Sequence, residues 1–140
     1  MELTRRKLLA LGTSTLAMAS MAGLPALASL ADDAIAELTG GAALGEGAVK
    51  ISAPEIAENG NTVPIDVEAP GAVEITLFAD GNPVPNVATF KFGPLSASRS
   101  ASTRIRLATT QDVIAVAKME DGSYQMAKAN VKVTIGGCGG

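Results

Sequence analysis

The last five residues, Gly136-Gly137-Cys138-Gly139-Gly140, contain the one cysteine of the chain, set between two pairs of glycines. A thiol can form a covalent bond to another sulfur and give it up again by exchange. Glycine has no side chain to pack and costs the most entropy to order, so a mobile tether is expected for Cys138 and not a place in a core. Four readings fit such a residue: an incidental cysteine in a trimmed tail, an intermolecular disulfide, a redox or catalytic nucleophile, or a covalent attachment point for a substrate. Catalysis fits poorly, because no Lys, Arg or His lies near Cys138 in the chain and the terminal carboxylate two residues on disfavours the thiolate. A thiol pKa near the ordinary ~8.5 is expected, with activation supplied by whatever partner receives the tail. In an oxidising compartment a lone accessible thiol is a liability, so its setting between glycines points to access as the purpose.

The opposite end indicates that compartment. Arg5-Arg6-Lys7 precede an apolar run from Leu8 to about Leu24, and Ala26-Leu27-Ala28 fits the small-residue cleavage pattern of a signal peptide spanning residues 1–28. Thr4-Arg5-Arg6-Lys7-Leu8-Leu9 resembles a twin-arginine export signal, with Ala10 where a lysine is frequent. Export of a folded protein to the periplasm is therefore expected. The competing reading is a membrane anchor. Gly12, Gly23 and Pro25 interrupt the run, which falls short of the ~20 apolar residues of a span, so no membrane association is expected of the mature form.

Removing 28 of the 140 residues leaves 112, enough for one domain with one core. The net charge of the whole chain is −3, and losing Glu2, Arg5, Arg6 and Lys7 brings the mature chain near −5. An acidic chain without a basic cluster is a poor partner for nucleic acid or an anionic membrane. The chain has no histidine, which removes the commonest general base, the Ser-His and Cys-His nucleophile pairs and the usual zinc and haem ligands. One cysteine permits neither an internal disulfide nor a CxxC pair, and no Gly-rich phosphate loop follows a strand. Catalytic residues, a metal and a cofactor are all expected to be absent; the chain does not read as an enzyme.

Elements must still hold the tail out. Asp32 to Leu38 reads as a short helix with Ile35 and Leu38 on one face and Gly40-Gly41 as its stop. Beyond it the apolar period becomes two: Val63, Ile65, Val67; Val73, Ile75, Leu77; Ala88, Phe90, Phe92; Thr103, Ile105, Leu107. Val113 to Ala117 is apolar throughout and suits a strand covered on both faces. The last strand candidate runs from Tyr124 to Ile135, with Val131, Val133 and Ile135 on one face, so the domain is expected to stay rigid up to Gly136. Turn clusters at Asn59-Gly60-Asn61, Ala69-Pro70-Gly71, Asp80-Gly81-Asn82-Pro83 and Asp121-Gly122-Ser123 separate these segments. About seven short strands spaced this way predict an all-β, immunoglobulin-like antiparallel sandwich with a short N-terminal helix, a partly open barrel being the alternative. The division is residues 1–28 as signal peptide, 29–135 as the sandwich with its helix, and 136–140 as a flexible arm. Phe78 falls on the Glu74-Thr76 face, opposite Ile75 and Leu77; it is either an exposed anchor for a partner or covered by something on that face.

The chain resembles the SoxY family, the sulfur-carrying subunit of the SoxYZ complex of bacterial thiosulfate oxidation. The resemblance runs through Pro54-Glu55-Ile56-Ala57-Glu58-Asn59-Gly60-Asn61-Thr62-Val63-Pro64, Val87-Ala88-Thr89-Phe90, Ser102-Thr103-Arg104-Ile105-Arg106-Leu107-Ala108 and Val131 to Gly140. It implies that thiosulfate is conjugated to Cys138, on a swinging arm formed by Gly136, Gly137, Gly139 and Gly140. It implies a heterodimer with SoxZ, which lacks a leader of its own, and transient encounters with SoxAX, SoxB and, where present, SoxCD. Phe78 and the Arg104/Arg106 face are candidate SoxZ contacts. The competing function is a periplasmic binding or chaperone module with an incidental thiol. A thiol-disulfide oxidoreductase lacks its second cysteine, although a disulfide dimer through Cys138 could be a resting form.

Overall fold

The structure, a computed structural model of the chain, describes residues 27–135. Most of the expected signal peptide and the whole of the arm at 136–140 therefore lie outside the described residues.

The helix α1 spans Leu27–Thr39, five residues longer at its start than the segment read from the sequence. Leu27-Ala28-Ser29-Leu30-Ala31 is good helix-forming sequence that continues the turns of Asp32 to Leu38 backwards. Ala31, Ile35 and Thr39, spaced by four, are buried, with Ala34 and Leu38 half-buried beside them. Gly40 and Gly41 end the helix in the left-handed region at φ 66° and 81°, where Gly41 N–H donates to the Ala36 carbonyl at 3.0 Å. The stop expected at these glycines is present.

The strands are β1 (Leu44–Glu46), β2 (Lys50–Ser52), β3 (Ile56–Ala57), β4 (Val63–Glu68), β5 (Ala72–Ala79), β6 (Asn86–Lys91), β7 (Ser100–Ile105), β8 (Gln111–Met119) and β9 (Tyr124–Val133). One sheet runs β1-β9-β8-β5-β6, with β3 also paired to β9; the other runs β2-β4-β7. They form an immunoglobulin-like sandwich. β4 buries Val63, Ile65 and Val67 and exposes Pro64, Asp66 and Glu68, the alternation expected of a strand with one wet face. Pro64 is tolerated within it because β2 pairs only with Asp66 to Glu68, leaving the backbone at Pro64 without a neighbour on that edge.

Between the sheets lie Val63, Ile65, Val67, Ile75, Leu77, Ile105, Leu107, Val113, Ala115, Ala117 and Val131, with Phe90 and Phe92 packed at the margin. The opposite face of β5 and β8 carries a second core of Phe78, Ile114 and Val116, roofed by Ile35 of α1 with Leu38, Leu44, Tyr124 and Met126 around them. This explains why β8 is apolar at every position from Val113 to Ala117. It also overturns the reading of Phe78 as an exposed partner anchor: Phe78 is fully buried, because α1 covers the face that periodicity alone left open.

The two sheets are tied by a buried polar cluster. Asn82 Nδ2 donates to the Arg106 carbonyl at 2.8 Å while its Oδ1 accepts from Ala108 N–H and from Gln111 Nε2, both at 2.9 Å. Gln111 Oε1 in turn accepts from Gly81 N–H at 2.8 Å. A Cβ on Gly81 would lie 2.9 Å from the Gln111 Cβ, so the approach requires glycine here. The Asp80-Gly81-Asn82-Pro83 turn is thus the brace that fixes the β7–β8 crossover.

Phe78→Ala should lower the unfolding free energy by about 3–5 kcal/mol, whereas Arg104→Ala, at an exposed position, should stay within about 0.5 kcal/mol. Urea titration of the two variants checks the contrast, and equal midpoints would contradict the second core.

Candidate functional site

The site residues read from the sequence, Cys138 and Gly136, Gly137, Gly139 and Gly140, lie outside the described residues. What the structure describes is the point from which they depart. β9 is the strand that leads there; one edge is paired along most of its length and the other at its two ends. β8 pairs along it from Gln111↔Val131 to Lys118↔Tyr124. On the other edge β1 pairs in parallel with Tyr124 to Met126, and β3 with Lys132 and Val133.

Beyond the ladder the last residues are held by side chains and loops. Lys132 N–H donates to the Glu55 carbonyl at 2.9 Å and Thr134 N–H to the Ala57 carbonyl at 3.0 Å. The Thr134 hydroxyl donates to the Glu58 carbonyl at 3.0 Å, and Val133 N–H to Thr110 Oγ1 at 3.0 Å. The Ile135 carbonyl accepts from Gly60 N–H at 2.7 Å, and the Gly60 carbonyl accepts from Leu107 N–H at 2.8 Å. A single buried glycine thus joins the end of β9 to the segment following β7. The turn around it is shaped by Asn59, whose Oδ1 accepts from Asn61 N–H at 3.0 Å.

Asn59-Gly60-Asn61 was legible in the sequence as a turn, but the hydrogen bonds by which Gly60 joins Ile135 to Leu107 were not. Thr110, Thr134 and Glu55 were missed altogether. Their partners lie 23 to 77 residues away in the chain, as Val133–Thr110 and Thr134–Ala57 illustrate, and no local pattern marks such pairings.

The same pole carries the turn at Asp80 to Pro85 and the crossover from Arg106 to Thr110, as the registers Val63↔Ile105, Ala79↔Val113 and Gln111↔Val131 require. Here the free edges of β6 and β7 face a groove of about 290 Å³ lined by Asn82, Val84, Asn86, Val87 and Arg104 to Arg106. Arg104 and Arg106 are both exposed. The ion pair among the described residues joins Arg99 to Glu120 at 3.6 Å instead. Ile56 and Ile135 are exposed at 58% and 67%, leaving the surroundings of the root partly apolar. Among the described residues no group of three acidic or cysteine side chains could hold a metal, and no helix is long and apolar enough to cross a membrane.

At the far pole, the hairpin turn between β8 and β9 holds Asp121 below the usual carboxylate range, through the Ser123 hydroxyl and then the Ser123 backbone N–H, which donate to its Oδ1 at 2.6 and 2.8 Å. A depressed carboxyl stabilises the turn above the unfolded pKa, and that contribution is lost as pH falls through the folded one.

The architecture defines an immunoglobulin-like domain whose final strand is clamped at one pole, with a cysteine three residues beyond the last described position. The family model described as "Sulfur oxidation protein SoxY" matches residues 35–138, ending on Cys138 itself. The chain belongs to the SoxY family, whose members are sulfur carriers that work with partner proteins of the Sox system. It is 41% identical to the sulfur carrier protein SoxY from Chlorobium limicola f thiosulfatophilum, with a TM-score of 0.67 over 77% of this chain and 99% of that one. A superoxide reductase (neelaredoxin) from Ignicoccus hospitalis superposes with a TM-score of 0.55 at 18% identity, over 62% of this chain and 80% of that one. A hypothetical protein from Pyrococcus horikoshii does so with a TM-score of 0.52 at 14% identity, over 69% and 98%. The last two likenesses concern the fold alone. No curated protein matches the chain significantly.

Gly60→Pro removes the N–H that holds the Ile135 carbonyl. Amide exchange at Thr134 should accelerate about tenfold, the equivalent of ~1.4 kcal/mol of local stability, while the amides of β5 and β8 keep their protection. Uniform acceleration across the domain would mean that Gly60 supports the whole fold and not the root.

Proposed function

We propose that the protein is a periplasmic carrier that holds thiosulfate-derived sulfur covalently on Cys138 and presents it to successive enzymes, without performing turnover itself. The observation that carries this reading is the placement of the chain's one cysteine within the family match, three residues past Ile135, at the end of a segment fixed by Gly60, Thr110 and the Glu55–Glu58 backbone. At ~3.3–3.6 Å per extended residue, a thiol there reaches on the order of 10 Å from the domain. That is enough to enter a cleft on another protein while the sandwich stays outside.

In the loading step the Cys138 thiol and thiosulfate lose two electrons and a proton, forming an S–S bond that leaves a cysteine S-thiosulfonate; SoxAX, a haem protein, takes the electrons. Water then cleaves the bond between the sulfane sulfur and the sulfonate group in SoxB, releasing sulfate and leaving a persulfide on Cys138. SoxCD, where present, oxidises that remaining sulfur. SoxZ is the constant partner, and the signal at Arg5-Arg6 serves to export the two subunits together after they have assembled.

Cys138→Ser should reduce thiosulfate-dependent electron release in a reconstituted Sox system to background without changing the thermal midpoint. Retained electron release would sink the carrier reading. In cells, replacing Arg5 and Arg6 by lysine should deplete SoxZ from the periplasm, and undiminished periplasmic SoxZ would exclude joint export.

A further inference from the structure

We infer that the groove between β6 and β7 is a parking site on the domain itself, where Arg104 and Arg106 hold the sulfonate of the group carried on Cys138. The inference rests on the carrier reading and adds to it a binding site for the loaded arm.

Three observations converge. The first is location. Arg106 adjoins Leu107, whose N–H is joined through Gly60 alone to the Ile135 carbonyl, so Arg106 in the groove wall stands at the same pole as Ile135, two backbone hydrogen bonds away. Cys138 lies three residues further, a span of about 10 Å when extended, and the arginine side chains add their own length from the other side.

The second is charge. The described residues carry eight Lys and Arg against thirteen Asp and Glu, so an anion is repelled from most of this surface. On the β3 side of the root stand Glu55 and Glu58; on the β7 side stand Arg104 and Arg106, neither with a carboxylate partner among the described ion pairs. An anion at the arm's tip is thus driven toward β7. A guanidinium presents a rigid fork of N–H donors that matches paired oxyanion acceptors, and Arg104 near the end of β7 and Arg106 just past it are both exposed on either side of the buried Ile105 and line the same groove.

The third is rigidity. The Arg106 carbonyl is held by Asn82 within the buried Asn82–Gln111 cluster, so the groove wall is fixed before any cargo arrives. Its volume of about 290 Å³ accommodates a thiosulfonate with its neighbouring glycine backbone. Each exposed ion pair is weak, but the tether makes the encounter intramolecular, at an effective concentration in the mM range. Hydrolytic removal of sulfate takes away the oxygens that the guanidinium forks grip, so parking distinguishes the loaded arm from the processed one.

Tetrathionate loads the thiol without any enzyme, because the Cys138 thiolate attacks an inner sulfur and thiosulfate leaves. Isotope-labelled protein loaded this way should show shifted Nε–H resonances for Arg104 and Arg106. Capping Cys138 with a neutral methylthio group should leave them in place, and 1 M salt, where the Debye length falls to about 3 Å, should abolish the shift. Release of thiosulfate by a neutral thiol should accelerate roughly threefold when Arg104→Gln and Arg106→Gln are combined, and much less with the paired lysine replacements, which keep the charge. Unshifted resonances, equal shifts with the neutral cap, or an unchanged release rate in the glutamine pair would overturn the site. Because loading is chemical, these outcomes are read independently of whether the host's enzymes load Cys138.

Discussion

The cargo-bearing tail proposed here would be useful only if the strand before it does not fray, since any loosening would spread the thiol over a wide volume and blur its presentation. The structure meets this constraint at β9. Here β8 pairs with one edge of that strand, and the short parallel strands β1 and β3 hold the two ends of the other. Where the ladder ends, Gly60, Thr110 and the carbonyls of Glu55, Ala57 and Glu58 continue the pairing to Ile135. Each hydrogen bond contributes on the order of 1 kcal/mol net, and in series they hold the last residues in one direction.

The rest of the fold can be read as support for that strand. β8, its main neighbour, is buried on both faces, inward by Val113, Ala115 and Ala117 and outward by Ile114 and Val116 beneath α1. The helix therefore acts through β8 on the arm's root without approaching it. The Asn82–Gln111 cluster fixes the start of β8 to the end of β7, and Leu107 then carries that fixation to Gly60 and Ile135. Two packing layers and one polar brace converge on the pole from which Cys138 departs.

Much of this was legible in the sequence because it is local. The alternation at Val63 to Glu68 and the unbroken apolar run at Val113 to Ala117 predict β4 and β8 with their faces, and Gly40-Gly41 marks the end of α1 correctly. β1, β2 and β3, at three, three and two residues, are too short to show any period and exist through pairing with distant strands. Phe78 was undecidable for a related reason: a period of two assigns it to a face but cannot say what covers that face, and the cover comes from a helix more than thirty residues upstream. The tail motif was the clearest functional signal in the sequence, while the fixation of the described chain up to Ile135 was hidden in backbone hydrogen bonds that leave no side-chain signature.

Everything proposed for the arm depends on sulfur being carried at Cys138. Intact-mass spectrometry of the protein isolated from its host during growth on thiosulfate, with and without reductant, addresses this directly. The expected result is a reductant-labile addition of about 112 Da for the thiosulfonate, or steps of ~32 Da for sulfane sulfur, confined to the C-terminal peptide that holds Cys138. A thiol found unmodified, or only dimerised, under those conditions would contradict the central claim.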